Sequence, residues 1–427
     1  MNNLQLTIHF FMQIALILAT CRIVGLIARR FGQPQVVAEM IAGVILGPSV
    51  FGFFQPQWQE LLFPWDSTQV TRDTQSYMFP AAQLGLALYM FIVGMEFRVD
   101  IIREHFKSSV AVSLAGMLTP FALGTVLALG LFYQTNLFPD RTSLFEASLF
   151  LGASLCITAF PMLARIIHFK GLAGTRMGTI ALGAGAIDDA AAWCLLAVVL
   201  ASFTGNFQGA IVSILGGACF VAVAIFVVKP LLKRWERIFL NQQQELSETG
   251  LVIAIILMAL GAMTTDWLHL HAVFGAFIAG ATIPRPIVDR QVIDRIQPLT
   301  VALLLPLFFT YSGLNTQLTL LNSPTLWLIA MLVLAVAVLG KGAACWAAAR
   351  ATGVPHREAL GIGTLMNARG LMELIIINIG LERGIITGEL FAILVIMAIV
   401  TTLMASPIFD RLNPGPPPQD LDRAAIS

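Results

Sequence analysis

Long apolar runs separated by short polar connections fill the chain from end to end. A helix that crosses a membrane needs about 20 mostly apolar residues. Runs of that kind fall at 4–28, 34–53, 79–97, 109–133, 145–164, 175–204, 209–228, 249–267, 270–284, 298–313, 324–346, 357–381 and 388–409. The pattern predicts an all-α polytopic membrane protein of about 13 transmembrane helices. No basic residue precedes Arg22, so the first run reads as a retained span and not as a cleaved signal.

The basic residues test this count. An odd number of spans puts the termini on opposite sides. With the N-terminus outside, the inside loops and their flanks collect most of the 25 Lys and Arg, from Arg29 and Arg30 to Arg411. The outside loops keep only Arg72, Arg141 and Arg383, while Arg22, Lys341 and Arg369 lie further into spans. A miscounted helix would scramble this alternation, so the C-terminus is expected in the cytoplasm.

Composition agrees. Apolar residues make up 57% of the chain and charged residues 11%, against about 25% charged in soluble domains. The net charge of +1 gives no sign of nucleic-acid binding. The five cysteines lie in apolar runs without zinc or redox spacing and read as small buried hydrophobes. No phosphate-cradling glycine motif exists, so no cofactor is expected and direct coupling to ATP is disfavoured. The longest outside loop, about Phe54–Met78, the longest inside loop, about Lys229–Glu248, and the Pro-rich tail after Asp410 leave no room for a large soluble domain.

A charge at membrane depth is costly and marks function by default. The deepest are Asp188 and Asp189, flanked by small residues in Gly183–Trp193. Adjacent helical positions point about 100° apart, so the two carboxylates meet different neighbours. That suits one Asp on an ion cavity and the other on a fixed partner. It disfavours an intramembrane aspartyl protease, whose two carboxylates share one water. Lys341, in Leu339–Trp346, is the natural partner of Asp188, and the bland alternative is snorkelling toward the cytoplasm.

Two runs read as broken helices. The fifth holds Ser154, Thr158 and Pro161, and proline removes an amide donor. The twelfth holds Asn367, Arg369 and Glu373, too polar for an ordinary span; Arg369 and Glu373, four apart, pair on one face. Interrupted spans in corresponding positions of two halves point to a transporter's binding site. These two runs cross in opposite directions, as inverted repeats require. If they cross at their breaks, Arg369 neutralises the negative helix ends, and Thr158 offers oxygens to a cation.

At these residues the chain resembles the monovalent cation/proton antiporter superfamily, second branch, which includes bacterial sodium/proton antiporters and plant cation/proton exchangers. The resemblance lies in Gln33–Pro48, Gly183–Trp193, Gly340–Arg350 and Met366–Gly380. It implies a homodimer working by elevator-like alternating access. A dimerisation domain would comprise 1–108 and 249–323, and a core transport domain 109–204 and 324–410. Residues 205–248 would form a linker helix and loop, and 411–427 a short tail. By the same resemblance Asp189 carries the cation or proton, Asp188 pairs with Lys341, and Thr158 is the polar residue of the first broken helix. Asp189 and Thr158, with Ser154 nearby, would hold the monovalent cation, sodium favoured over potassium. Lys341, Arg369, Asn367 and Glu373 would be the charge partners at the crossing.

The expected function is therefore a secondary antiporter, not an enzyme, exchanging a cation for protons in a bacterial plasma membrane and serving pH homeostasis. Exchange is electrogenic if Lys341 also releases a proton. The competing reading is a gated potassium efflux system or cation channel on the same scaffold. Against it, the gated efflux members usually carry Gln-Asp where this chain has Asp188-Asp189, and they end in a nucleotide-binding domain. Glu39, His269 and His271 have no assigned role. Trp58, Trp65 and Trp267 read as interface anchors, and Lys229, Lys233, Arg234 and Arg237 as a contact for anionic lipid.

Overall fold

The computed structural model describes residues 3–31, 33, 35–63, 69–96, 105–172, 174–203, 207–241, 245–268, 270–284, 287–314, 316 and 318–413. His269, Trp65 and the tail beyond Asn413 lie outside them. The described chain is nearly all helical and contains no β-strand. Nine of its helices are individually long and apolar enough to cross a membrane. They match runs one to four, seven, eight, ten, eleven and thirteen. Run six is a 28-residue helix, run nine an 11-residue helix, and runs five and twelve are each two half-helices. Length and composition thus mark a multi-pass membrane protein with nine candidate crossings among the described residues, and do not alone establish thirteen.

The chain divides into two compact units. One comprises residues 25–38, 98–192 and 316–427. Its helices are α1 (Phe106–Gln134), α2 (Leu144–Cys156), α3 (Phe160–Phe169), α4 (Arg176–Phe203, to Ala192 in this unit), α5 (Pro324–Ala351), α6 (His356–Leu365), α7 (Leu371–Glu382) and α8 (Gly388–Leu412). Its core joins Val112 of α1, Leu163 and Ile166 of α3, Ile180 and Ala184 of α4, Cys345 of α5, Ile362 of α6 and Phe409 of α8.

The other unit comprises 1–24, 39–97 and 193–315. Close backbone packing holds it together. A Cβ on Gly94 would lie 2.0 Å from the Phe277 carbonyl oxygen, and one on Gly280 2.1 Å from that of Phe91. Only glycine allows helices 69–96 and 272–282 to approach this closely. Helix 69–96 starts well before its apolar run, and a short helix, Pro56–Leu62, precedes it. The stretch read as a loop from Phe54 to Met78 is therefore largely helical in its described part, since helix formation does not require an apolar sequence. The basic cluster likewise begins on a helix: Lys229–Arg234 follows the π-helical turn Ala224–Val228.

Both breaks have local causes. α2 opens with a capping box in which the Ser143 hydroxyl accepts from Glu146 and the Glu146 carboxylate accepts from Ser143. It ends at Cys156, and Ile157 turns extended. In an unbroken helix the carbonyl of Ile157 would need the amide that Pro161 lacks. Pro161 instead occupies the first turn of α3, where no amide is required. The second break runs between Leu365 and Leu371. The two extended segments meet where the Ala159 amide donates to the Ala368 carbonyl at 3.2 Å. Thr402 of α8 clamps the second segment, donating to the Arg369 carbonyl at 2.8 Å and accepting from its amide at 3.1 Å. Gly370 admits α3 here, because a Cβ would lie 2.6 Å from Met162 Cγ.

Candidate functional site

The paired aspartates sit on α4 where Gly183, Ala184, Gly185 and Ala186 keep its surface small. A Cβ on Gly185 would lie 2.8 Å from Leu163 of α3, so the small residue brings the two helices together. Asp188 is fully buried and held from three sides. Ser113 of α1 donates to Oδ1 at 2.6 Å. Thr158, in the first break, donates to Oδ2 at 2.6 Å. Lys341 Nζ lies 3.6 Å from the same oxygen. Lys341 is itself 0% exposed, so its ammonium does not snorkel to either surface. It also donates to the Cys156 carbonyl.

That carbonyl belongs to a set. The last carbonyls of a helix have no partner within it and form its negative end. Arg369 Nη1 donates to the Ser154 carbonyl at 2.9 Å and Nη2 to that of Leu155 at 2.6 Å. With Lys341 on Cys156, two buried cations satisfy three consecutive carbonyls at the end of α2. Arg369 is balanced by Glu373, whose carboxylate accepts at 3.1 Å from the first turn of α7. A carboxylate there also meets the positive end of a helix.

Asp189 differs from its neighbour. It is 2% exposed, yet neither carboxylate oxygen has a side-chain hydrogen-bond donor among the described residues. The backbone of Phe160, where α3 begins, faces it. Lys341 balances Asp188 and Arg369 balances Glu373. Among the described residues Asp189 is left as the buried acid of this cluster without a counter-ion. A buried carboxylate without a counter-ion is suited to hold a proton or a cation.

The Thr158 hydroxyl donates its hydrogen bond to Asp188 Oδ2. The Ser154 carbonyl is taken by Arg369, and its hydroxyl has no partner among the described residues. The Asn367 amide turns to the Gly363 carbonyl at 3.0 Å. Asn367 lines a groove of about 340 Å³ between α5, α6 and α8, together with Trp346 and Thr401. No cluster of three His, Cys, Asp or Glu side chains suited to a resident metal occurs among the described residues. Ser113 and Thr402 escaped the sequence reading, because a lone hydroxyl in an apolar helix is usually returned to its own backbone.

Away from the cluster, Glu39 is buried in helix 35–46. His271 caps helix 272–282, its Nδ1 accepting from the Val273 amide at 3.4 Å. Trp58 and Trp267 are exposed.

The family model described as sodium/hydrogen exchanger, transmembrane, matches residues 15–412. The chain is similar to the Na(+)/H(+) antiporter NhaS4 of Synechocystis, with 39% identity over 94% of this chain and 97% of that one. It is similar to the Na(+)/H(+)-K(+) antiporter GerN of Bacillus cereus, with 30% identity over 94% of this chain and 95% of that one. The solved structure of the sodium proton antiporter MjNhaP1 from Methanocaldococcus jannaschii shares the fold, with a TM-score of 0.67 over 96% of both chains at 15% identity.

Proposed function

The chain belongs to the sodium/hydrogen exchanger family, and from that premise we propose that it exchanges a monovalent cation for protons at Asp189. One observation carries the reading: among the described charges at the crossing, Asp189 is the one buried with no side-chain hydrogen-bond donor and no counter-ion. A desolvated carboxylate binds a proton or a cation, and not both. Competition for one site makes the exchange obligatory, because the site crosses loaded with one or the other. Asp188 stays fixed and anionic. Lys341 and Arg369 hold the end of α2, so the break keeps its shape whichever ion is bound.

Sodium is the favoured cation and potassium the second. The names of the two relatives, one a Na(+)/H(+) antiporter and one a Na(+)/H(+)-K(+) antiporter, support both. Exchange is electrogenic when Lys341 surrenders a proton along with Asp189. The unit formed by 25–38, 98–192 and 316–427, which contains the whole charge cluster, is the core that moves in an elevator-like cycle. The other unit is the dimerisation domain of a homodimer. The N-terminus lies outside and the C-terminus in the cytoplasm of a bacterial plasma membrane, an orientation that the distribution of basic residues supports.

The test uses the full chain in liposomes containing a pH dye, with sodium or potassium added outside in turn. Cation-driven proton movement that disappears in Asp189→Asn supports the reading. Cation flux without proton movement would identify a channel.

A further inference from the structure

Between Leu365 and Leu371 the chain leaves the helical form, and its backbone groups lose their helical partners. One side chain of α8 answers for them at Arg369. The Arg369 amide donates to Thr402 Oγ1 at 3.1 Å, and no other acceptor takes it among the described residues. The same hydroxyl lies 2.8 Å from the Arg369 carbonyl and 2.7 Å from the carbonyl of Ala398, one turn back on α8. A threonine inside a helix usually returns its hydroxyl to its own backbone. Thr401, adjacent and equally buried, does only that, donating to the Met397 and Ala398 carbonyls at 2.8 and 3.1 Å. Thr402 alone of the two reaches out of its helix.

What it holds leads to the carboxylates. The carbonyl of Ala368, one residue before Arg369, accepts from the Ala159 amide at 3.2 Å. The carbonyl of Met366 lies 3.5 Å from the Thr158 hydroxyl, which donates to Asp188. Phe160, the residue after Ala159, presents its backbone to Asp189. A continuous main-chain path therefore joins Thr402 to Asp189 through Arg369, Ala368, Ala159 and Phe160. The Arg369 side chain meanwhile occupies the Ser154 and Leu155 carbonyls at the end of α2. A main chain that slips at Arg369 moves its guanidinium and the Ala159 amide together. Neither break has a helical ladder to resist such a slip, so hydrogen bonds from neighbouring elements set its position.

We propose that Thr402 is a positioning residue for the exchange: through the main chain of Arg369 it holds the two breaks in register with Asp189, and so sets the affinity of the site for its cation. That role presupposes Asp189 as the carrier. Thr402 touches neither carboxylate. Its loss leaves the Arg369 amide without an acceptor and lets the segment drift, which misplaces the oxygens around Asp189 without removing any of them.

The experiment measures initial rates of proton movement by the full chain in liposomes at one pH, against increasing sodium and then potassium. The parent is compared with Thr402→Val, Thr402→Ser and Thr401→Val. Valine keeps the shape of threonine and removes the hydroxyl. The half-saturating cation concentration of Thr402→Val should rise about fivefold, the change expected for one lost neutral hydrogen bond. Thr402→Ser, which keeps the hydroxyl, should restore the parent's value, and Thr401→Val should leave it unchanged. If Thr402→Val does not fold, Thr402→Cys replaces it, its sulfur being a weak acceptor, and a smaller rise is expected. A folded valine or cysteine variant with the parent's half-saturating concentration overturns the proposal, even if its maximal rate falls. An equal rise in Thr402→Ser or in Thr401→Val also overturns it. Full exchange in Asp189→Asn would instead refute the carrier assignment, and is read from that variant alone.

Discussion

Lys341 and Arg369 divide the end of one half-helix between them: Arg369 takes the carbonyls of Ser154 and Leu155, and Lys341 takes that of Cys156. Each cation then reaches an acid of its own, Asp188 for Lys341 and Glu373 for Arg369. The first break is thus built from charge as much as from Pro161. Its unpaired carbonyls, which would otherwise face hydrocarbon, are satisfied by side chains that are themselves neutralised.

Removing Lys341 breaks both halves of that arrangement. Lys341→Ala leaves Asp188 without its cation and Cys156 without its donor. Breaking one side of a buried ion pair costs about 3–5 kcal/mol. The expected outcome is a clear fall in the Tm of the detergent-solubilised protein. In liposomes, the exchange that remains should lose its voltage dependence, measured with valinomycin clamping the potential. An unchanged Tm would contradict the pairing.

Arg369→Lys keeps the charge and loses the fork. A guanidinium reaches two carbonyls and a carboxylate at once, and an ammonium on a shorter reach cannot reproduce that planar set. Exchange should fall at least about tenfold, and stability by about 1–3 kcal/mol for a carbonyl left without a donor. Exchange assays and thermal melts measure the two separately.

Much of this was written in the sequence, for reasons that can be named. Apolar runs mark spans because hydrocarbon enforces them. Pro161 marked the first break, because proline removes a particular helical hydrogen bond. Arg369 and Glu373 were legible as a pair because their spacing fixes their relation on one helix. Contacts between distant helices were not legible. Ser113 reaches Asp188, and Thr402 clamps Arg369, only through a helix register that no local pattern encodes. The carbonyl partners of Arg369 were hidden for another reason, since backbone oxygens leave no mark in a sequence. The helical start of 69–96 was missed because hydropathy reports burial in lipid and not helix formation.

The most direct measurement is cation-driven proton movement by the Asp189→Asn protein in liposomes, beside the parent at matched incorporation. Asparagine keeps the size of the side chain and can hold neither a negative charge nor an exchangeable proton. The account predicts that exchange falls to the level of empty liposomes while the protein remains folded. Exchange at the parent's rate would contradict it, and would move the carrier role away from the one described buried acid at the crossing that has neither a side-chain hydrogen-bond donor nor a counter-ion.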